Sequence, residues 1–170
     1  MSALPVHVRP ALPADVRTIR SLVQPYADER ILLAKEWVEY YGAVQEFLVA
    51  QTLDDERVVG CGALHVLWED LGEVRTLAVA REARHRRVGH ALLAALMDHA
   101  RGMGLQRLFC LTFEVDFFRQ HGFEPIEGPA VDPAVFAELL RSHDDGVAEF
   151  LDLARVKPNT LGNTRMLVHL

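Results

Sequence analysis

The stretch that most constrains this chain is Leu71–Leu93, LGEVRTLAVAREARHRRVGHALL. Leu71–Val79 reads as a strand, the next residues as a basic, glycine-containing loop, and Gly89–Met103 as an amphipathic helix. Leu92, Ala95, Leu96, His99 and Met103 recur on one helical stripe, and Gly102 and Gly104 punctuate its end. Between strand and helix, Arg86-Arg87-Val88-Gly89-His90-Ala91 has the form Arg-x-x-Gly-x-Ala. That pattern is suited to an anion, because the first N–H groups of a helix lack intrahelical partners and the dipole there is positive. Gly89 removes a Cβ where phosphate oxygens approach the backbone, and Ala91 keeps the next turn small. Arg81, Arg84, His85, Arg86, Arg87 and His90 crowd this stretch of a chain whose net charge is −6, a local basicity suited to a polyphosphate. A solvated basic turn before an ordinary helix would use the same residues; the strand before and the helix after favour the anion site. Gly-Lys-Ser/Thr and Gly-x-Gly-x-x-Gly are both missing, which excludes a P-loop and a dinucleotide fingerprint.

The rest of the chain fits one domain, residues 1–170, with half of its residues apolar and a quarter charged. The acidic balance excludes a global basic field for nucleic acid. No signal-peptide h-region and no apolar run of transmembrane length is visible, so a cytoplasmic protein with no membrane partner is expected. Cys61 and Cys110 sit in apolar runs and read as buried, reduced thiols. None of the eight histidines pairs at metal-ligand spacing on a predicted helix, so no metal is expected. Val6–Arg9 reads as a first strand, and Leu12-Pro13-Ala14-Asp15 as the start of a helix on which Val16, Ile19, Leu22 and Val23 recur through Gln24. Lys35–Tyr41 is a second helix, and Ala43–Thr52, Val58–Trp68 and Leu71–Val79 form an antiparallel meander. Arg107–Thr112 is an apolar strand, Val115–Gln120 and Pro133–Leu140 are helices, and Asn163–Leu170 is a closing strand. The order implies an α+β fold, a mixed sheet with helices on both faces.

With these residues in place, the segment resembles the GNAT family of acetyltransferases, whose Arg-x-x-Gly-x-Gly/Ala loop binds the CoA pyrophosphate through backbone amides. Leu105–Thr112 is similar to the family's fifth strand, and Phe117-Phe118-Arg119-Gln120-His121-Gly122-Phe123 to its aromatic element beside the acetyl-CoA thiol. The segments GALHVLWEDLGEVRTLAV, FFRQHGFEPIE and NTRMLVHL further resemble the short, stand-alone N-acetylglutamate synthases of arginine biosynthesis, which lack the amino-acid-kinase domain of the longer ones. The resemblance runs from Val8 to Leu170. It implies a splayed, mainly antiparallel sheet holding acetyl-CoA, and direct attack of an amine on the thioester, with L-glutamate as acceptor and L-glutamine as a second candidate.

It also implies roles. Arg84, Arg86, Arg87, Val88, Gly89, His90 and Ala91 hold the pyrophosphate. Leu77, Ala78 and Val79 offer backbone amides to the pantetheine arm and the thioester carbonyl, and Phe117 and Phe118 lie beside the thiol. Glu73 is the general base, which the chemistry needs because an ammonium must lose a proton before its nitrogen attacks; by residue type alone it is equally a solvated strand glutamate. Many relatives place a tyrosine beside the thiol, whereas Tyr26, Tyr40 and Tyr41 all lie near the N-terminus, so Thr164 is left to donate to the sulfur, or to be an ordinary strand residue. Lys35, Arg75 and Arg165 are candidate cations for the substrate carboxylates; singly, each reads as a surface cation. A homodimer is left open. Two other readings stay open: transfer to another small amine or a protein N-terminus, and a non-catalytic acyl-CoA-binding regulatory module.

Overall fold

The structure is a computed structural model that describes residues 2–170. It contains one seven-stranded mixed sheet with the strand order β1-β2-β3-β4-β5-β7-β6. The strands are β1 (Val6–Pro10), β2 (Phe47–Thr52), β3 (Val58–Trp68), β4 (Leu71–Val79), β5 (Arg107–Thr112), β6 (Glu124–Pro125) and β7 (Thr164–His169). The helices are α1 (Val16–Asp28), α2 (Trp37–Gly42), α3 (Val88–Gly102), α4 (Val115–Arg119), α5 (Pro133–Leu139), α6 (Asp145–Phe150) and α7 (Lys157–Thr160). No helix among the described residues is long and apolar enough to cross a membrane.

The chain condenses into two compact units. The first takes the chain up to His65 together with Val74–Met103. Strand alternation organises it: Phe47 and Val49 pack with Val16, Ile19 and Val23 of α1 and Tyr40 of α2, while the neighbouring Ala50 joins Val88 and Leu92 of α3. Helices therefore cover both faces of this unit's strands. Two glycines set the approach of α3. A Cβ on Gly60 would stand 2.8 Å from Leu92 Cδ1, and one on Gly62 would stand 2.9 Å from Leu96 Cδ1. Leu92 and Leu96 are one helical turn apart and seat against two glycines on one face of β3.

The second unit comprises Val66–Glu73 and Gly104–Leu170. Here β5 pairs in parallel with β4 through Leu71↔Arg107, Gly72↔Leu108 and Glu73↔Phe109, and antiparallel with β7 along all six of its residues, from Arg107↔His169 to Thr112↔Thr164. Its core joins Leu71, Phe109, Leu139, Val147 and Phe150, with the Phe109 and Phe150 rings edge to face at 4.9 Å. Asp132 caps α5 by accepting from the amides of Ala134 and Val135, and Asp144 caps α6 by accepting from Val147.

Several boundaries differ from those read in the sequence. Val44–Glu46 is a 3-10 turn, so β2 begins at Phe47 and not at Ala43. The buried stripe of α3 is Val88, Leu92, Leu93, Leu96, Met97 and Ala100, rotated away from His99 and Met103, both exposed. The two-residue β6, the six-residue α6 and the four-residue α7 are not among the elements read from the sequence. They are too short to carry a hydrophobic period.

Candidate functional site

The basic loop enters α3 through two non-glycine residues with left-handed backbone, His85 (φ 59) and Arg87 (φ 66). Arg87 is the residue preceding the first turn of α3, and no side chain caps that turn. Left-handed residues alternating with their neighbours curl successive N–H groups toward one point, the geometry of an anion-binding nest. The Arg86 carbonyl is held from behind by the Leu4 amide at 2.9 Å. Arg84, His85 and Arg87 are exposed, Arg86 and His90 partly so, and Val88 is buried and anchors the helix start. Burial, and then the Arg87 charge, hold the His90 imidazole below its ordinary value. An uncapped, basic, inward-curled helix start fits a diphosphate.

Just before the loop, β4 contains Thr76 at φ 54, an unusual conformation for a β-branched residue inside a strand. Such a residue breaks the regular alternation, and Leu77, Ala78 and Val79 follow it directly. The Thr76 carbonyl faces the Cys61 thiol at 3.7 Å, and the Val79 carbonyl accepts from the Tyr26 hydroxyl at 2.6 Å. Tyr26 was not singled out from the sequence, although it continues the Val16–Ile19–Val23 stripe of α1. Thr76 carries no sequence signal at all, because its residue type argues for plain strand.

In the second unit, Glu73 is 4% exposed at the last rung of the β4–β5 ladder. The solvated strand glutamate is thereby excluded. Residues paired across a ladder share a face, so Glu73 lies with Phe109, and Arg165, paired with Leu111, lies with them. The Arg165 guanidinium stands 4.9 Å from the Phe109 ring centre and 5.9 Å from that of Phe150. It donates to the carbonyls of Glu149 (3.0 Å) and Phe150 (2.5 Å), and through a longer contact to that of Gly128 (3.4 Å). Its Nε is buried without a hydrogen-bond partner. Burial lowers the Arg165 pKa, against the raising influence of Asp152 and Glu73. The surface-cation reading of Arg165 is thus replaced by a half-buried, fixed charge.

Thr164, on the opposite face of β7 from Arg165, pairs with Thr112 and is partly buried. Phe118 is buried and packs edge to face on Phe117 (5.1 Å) and Phe123 (5.2 Å), while Phe117 is partly exposed and faces His121 at 5.5 Å. In the first unit, Lys35 lies 6.0 Å from the Phe47 ring centre, and its charge acts on the buried Cys61 thiol. Arg75 is half-buried on β4. The expected residues thus fall into an anion loop and cations of the first unit, and a carboxylate–guanidinium group with neighbouring aromatics of the second.

The GNAT acetyltransferase family model matches residues 15–123. The chain belongs to the GNAT acetyltransferase family. An amino-acid acetyltransferase of Mycobacterium tuberculosis is 56% identical over 162 residues, which cover 95% of this chain and 92% of that protein. The crystal structure of Rv2747 from Mycobacterium tuberculosis in complex with CoA and NLQ superposes with a TM-score of 0.94 at 55% identity, covering 96% of this chain and 99% of that one. N-acetylglutamate synthase from Neisseria gonorrhoeae, complexed with coenzyme A and N-acetyl-glutamate, gives a TM-score of 0.76 at 25% identity, covering 98% of this chain but 35% of that one. This GNAT enzyme is an acetyl-CoA-dependent amino-acid acetyltransferase: it moves acetyl from acetyl-CoA to an amino acid. The non-catalytic module is set aside.

Proposed function

We propose that the acceptor is the α-amine of L-glutamate, with L-glutamine as a second acceptor, and that the reaction runs in the cytoplasm within a single 1–170 domain as the entry into arginine biosynthesis. The observation that carries this reading is Glu73, a carboxylate buried beside a guanidinium at the end of a short parallel ladder. A carboxylate kept from water inside the fold suits proton removal. The relative crystallised with N-acetyl-glutamate supports the acidic acceptor.

Acetyl-CoA supplies the acetyl group as a thioester. The amides of the Arg84–Ala91 loop and the Arg84, Arg86 and Arg87 side chains hold its pyrophosphate, and the Leu77–Val79 backbone holds the pantetheine and polarises the carbonyl. Phe117 and Phe118 wall the thiol end. Glu73 takes the proton from the acceptor's ammonium, directly or through water, and the freed nitrogen attacks the carbonyl carbon; as the C–S bond breaks, the nitrogen's second proton passes to the leaving sulfur, giving the neutral amide and the free thiol. The departing thiolate needs little acid assistance, since a thiol titrates near about 8.5, and Thr164 donates a hydrogen bond to it. Lys35 and Arg75 pair the acceptor's carboxylates. Thiol release across a panel of amino acids tests the assignment. Glutamate and then glutamine should show the highest kcat/KM; a hydrophobic amino acid, a polyamine or a peptide N-terminus in first place would overturn it.

A further inference from the structure

Tyr26 touches two segments to which the proposed mechanism assigns different substrates. Its hydroxyl donates to the Val79 carbonyl at 2.6 Å, at the end of the strand whose backbone is assigned to acetyl-CoA. Its own carbonyl accepts from the amides of Ile31 (2.8 Å) and Leu32 (3.2 Å), which open the segment leading to Lys35, the cation assigned to the acceptor. The chain turns back onto Tyr26 through Arg30, whose backbone is left-handed (φ 58). The Val79 carbonyl needs such a donor. In a trans peptide it points opposite to the Ala80 amide, and that amide is bonded to Val59 of β3 at 2.8 Å. The carbonyl therefore faces the other edge of β4, along which pairing with β5 ends at Glu73. Two contacts of Arg81 run alongside. Its guanidinium stands 5.9 Å from the Tyr26 ring centre, and it is ion-paired with Glu29 just past α1. That exposed pair adds little by itself; the part-buried phenol makes the specific link.

We propose that Tyr26 is a positioning residue that couples the two substrates: a ligand that fixes Val79 also fixes segment 31–35 through this one residue, and the reverse. The inference rests on the backbone of residues 77–79 holding acetyl-CoA and on Lys35 holding the acceptor. A ligand that stills the Tyr26 ring has already ordered part of the other segment, so each substrate binds more tightly in the presence of the other. By linkage the two tightening factors are equal. Phenylalanine at this position keeps the ring and both backbone bonds, and loses only the bond to Val79.

The experiment is a calorimetric titration of the full-length enzyme with L-glutamate, alone and at saturating CoA, and with CoA, alone and at saturating L-glutamate. CoA carries no acetyl group, so nothing turns over. In the wild type each ligand should tighten the other by about fivefold. In Tyr26→Phe that factor should fall to about one, the loss expected of a single hydrogen bond. A purely structural role would shift the separate affinities and leave their ratio alone. Amide exchange gives a second reading that does not depend on the variant's folding: CoA should slow exchange at Ile31 and Leu32 in the wild type. Equal factors in wild type and Tyr26→Phe, no tightening in the wild type, or Ile31 and Leu32 amides indifferent to CoA would each overturn the inference. Where another amino acid binds and turns over in place of glutamate, the acceptor reading alone fails, and that amino acid replaces glutamate in the same titrations, with the same outcomes deciding.

Discussion

Glu73 and the two cysteines are titratable groups kept from water for different ends. Glu73→Gln keeps the shape of the buried side chain and removes its proton affinity, so turnover should fall by roughly 10²–10⁴-fold with acetyl-CoA affinity nearly unchanged; steady-state kinetics and a binding titration check both halves. Burial pushes the Cys61 thiol up to about 12 and the Cys110 thiol well above its ordinary value. Neither should react with an aromatic disulfide reagent until the chain is unfolded, when both should titrate within minutes. Asp15 illustrates a surface effect of opposite sign. The Arg9 guanidinium, 2.7 Å away, holds its carboxyl below the ordinary value of 3.8 against the opposing influence of burial. Because the folded value is the lower one, the pair adds stability above that ordinary value and loses it as pH falls through the folded value. Asp15→Asn should therefore lower the urea midpoint at pH 7 and have little effect near pH 2. The residue types announced these roles unevenly: a glutamate before the loop could be base or solvated, and only its burial decides against solvent.

Elements place the chemistry by how closely they pack. Gly60 and Gly62 let α3 lie down on β3, and the uncapped start of that helix is the proposed anion site, so two absent side chains help to fix where that site stands. Gly62→Val should cost about 1–3 kcal/mol of stability by overpacking, and trimming Leu96 to alanine in the same chain should recover part of it, as chemical denaturation would show. Gly89→Glu acts on the same element differently. Acetyl-CoA at about 100 times its Kd should stabilise the wild type by about 2.7 kcal/mol, and the variant should show no thermal shift, because a carboxylate now occupies the helix start. The long elements were legible: β3, β4 and β5 lie where their apolar runs place them. The α3 stripe was misjudged by part of a turn, because the glycines of β3, which decide the contacting face, lie outside the helix. The short α6 and α7 could have been found only from caps such as Asp144.

Across the whole molecule, the order of elements was readable because the informative segments run in sequence from Leu71 to Phe123, and the family match covers residues 15–123. The stretch between Ile126 and Thr164 was less so; it builds the surroundings of Arg165 from turns and short helices whose partners are distant in sequence. Burial within each unit, and not local pattern, sets those contacts. The same holds at the chain's beginning. The Leu4 amide donates to the Arg86 carbonyl, so a residue more than eighty positions upstream braces the loop from behind. On the proposed role of that loop, what is fused to or cut from the N-terminus bears on acetyl-CoA affinity. Removing the first five residues should weaken acetyl-CoA about fivefold, the equivalent of one hydrogen bond of about 1 kcal/mol, while circular dichroism stays unchanged. An affinity tag placed there would be read out in the KM for acetyl-CoA; one placed at the other end would leave that brace alone.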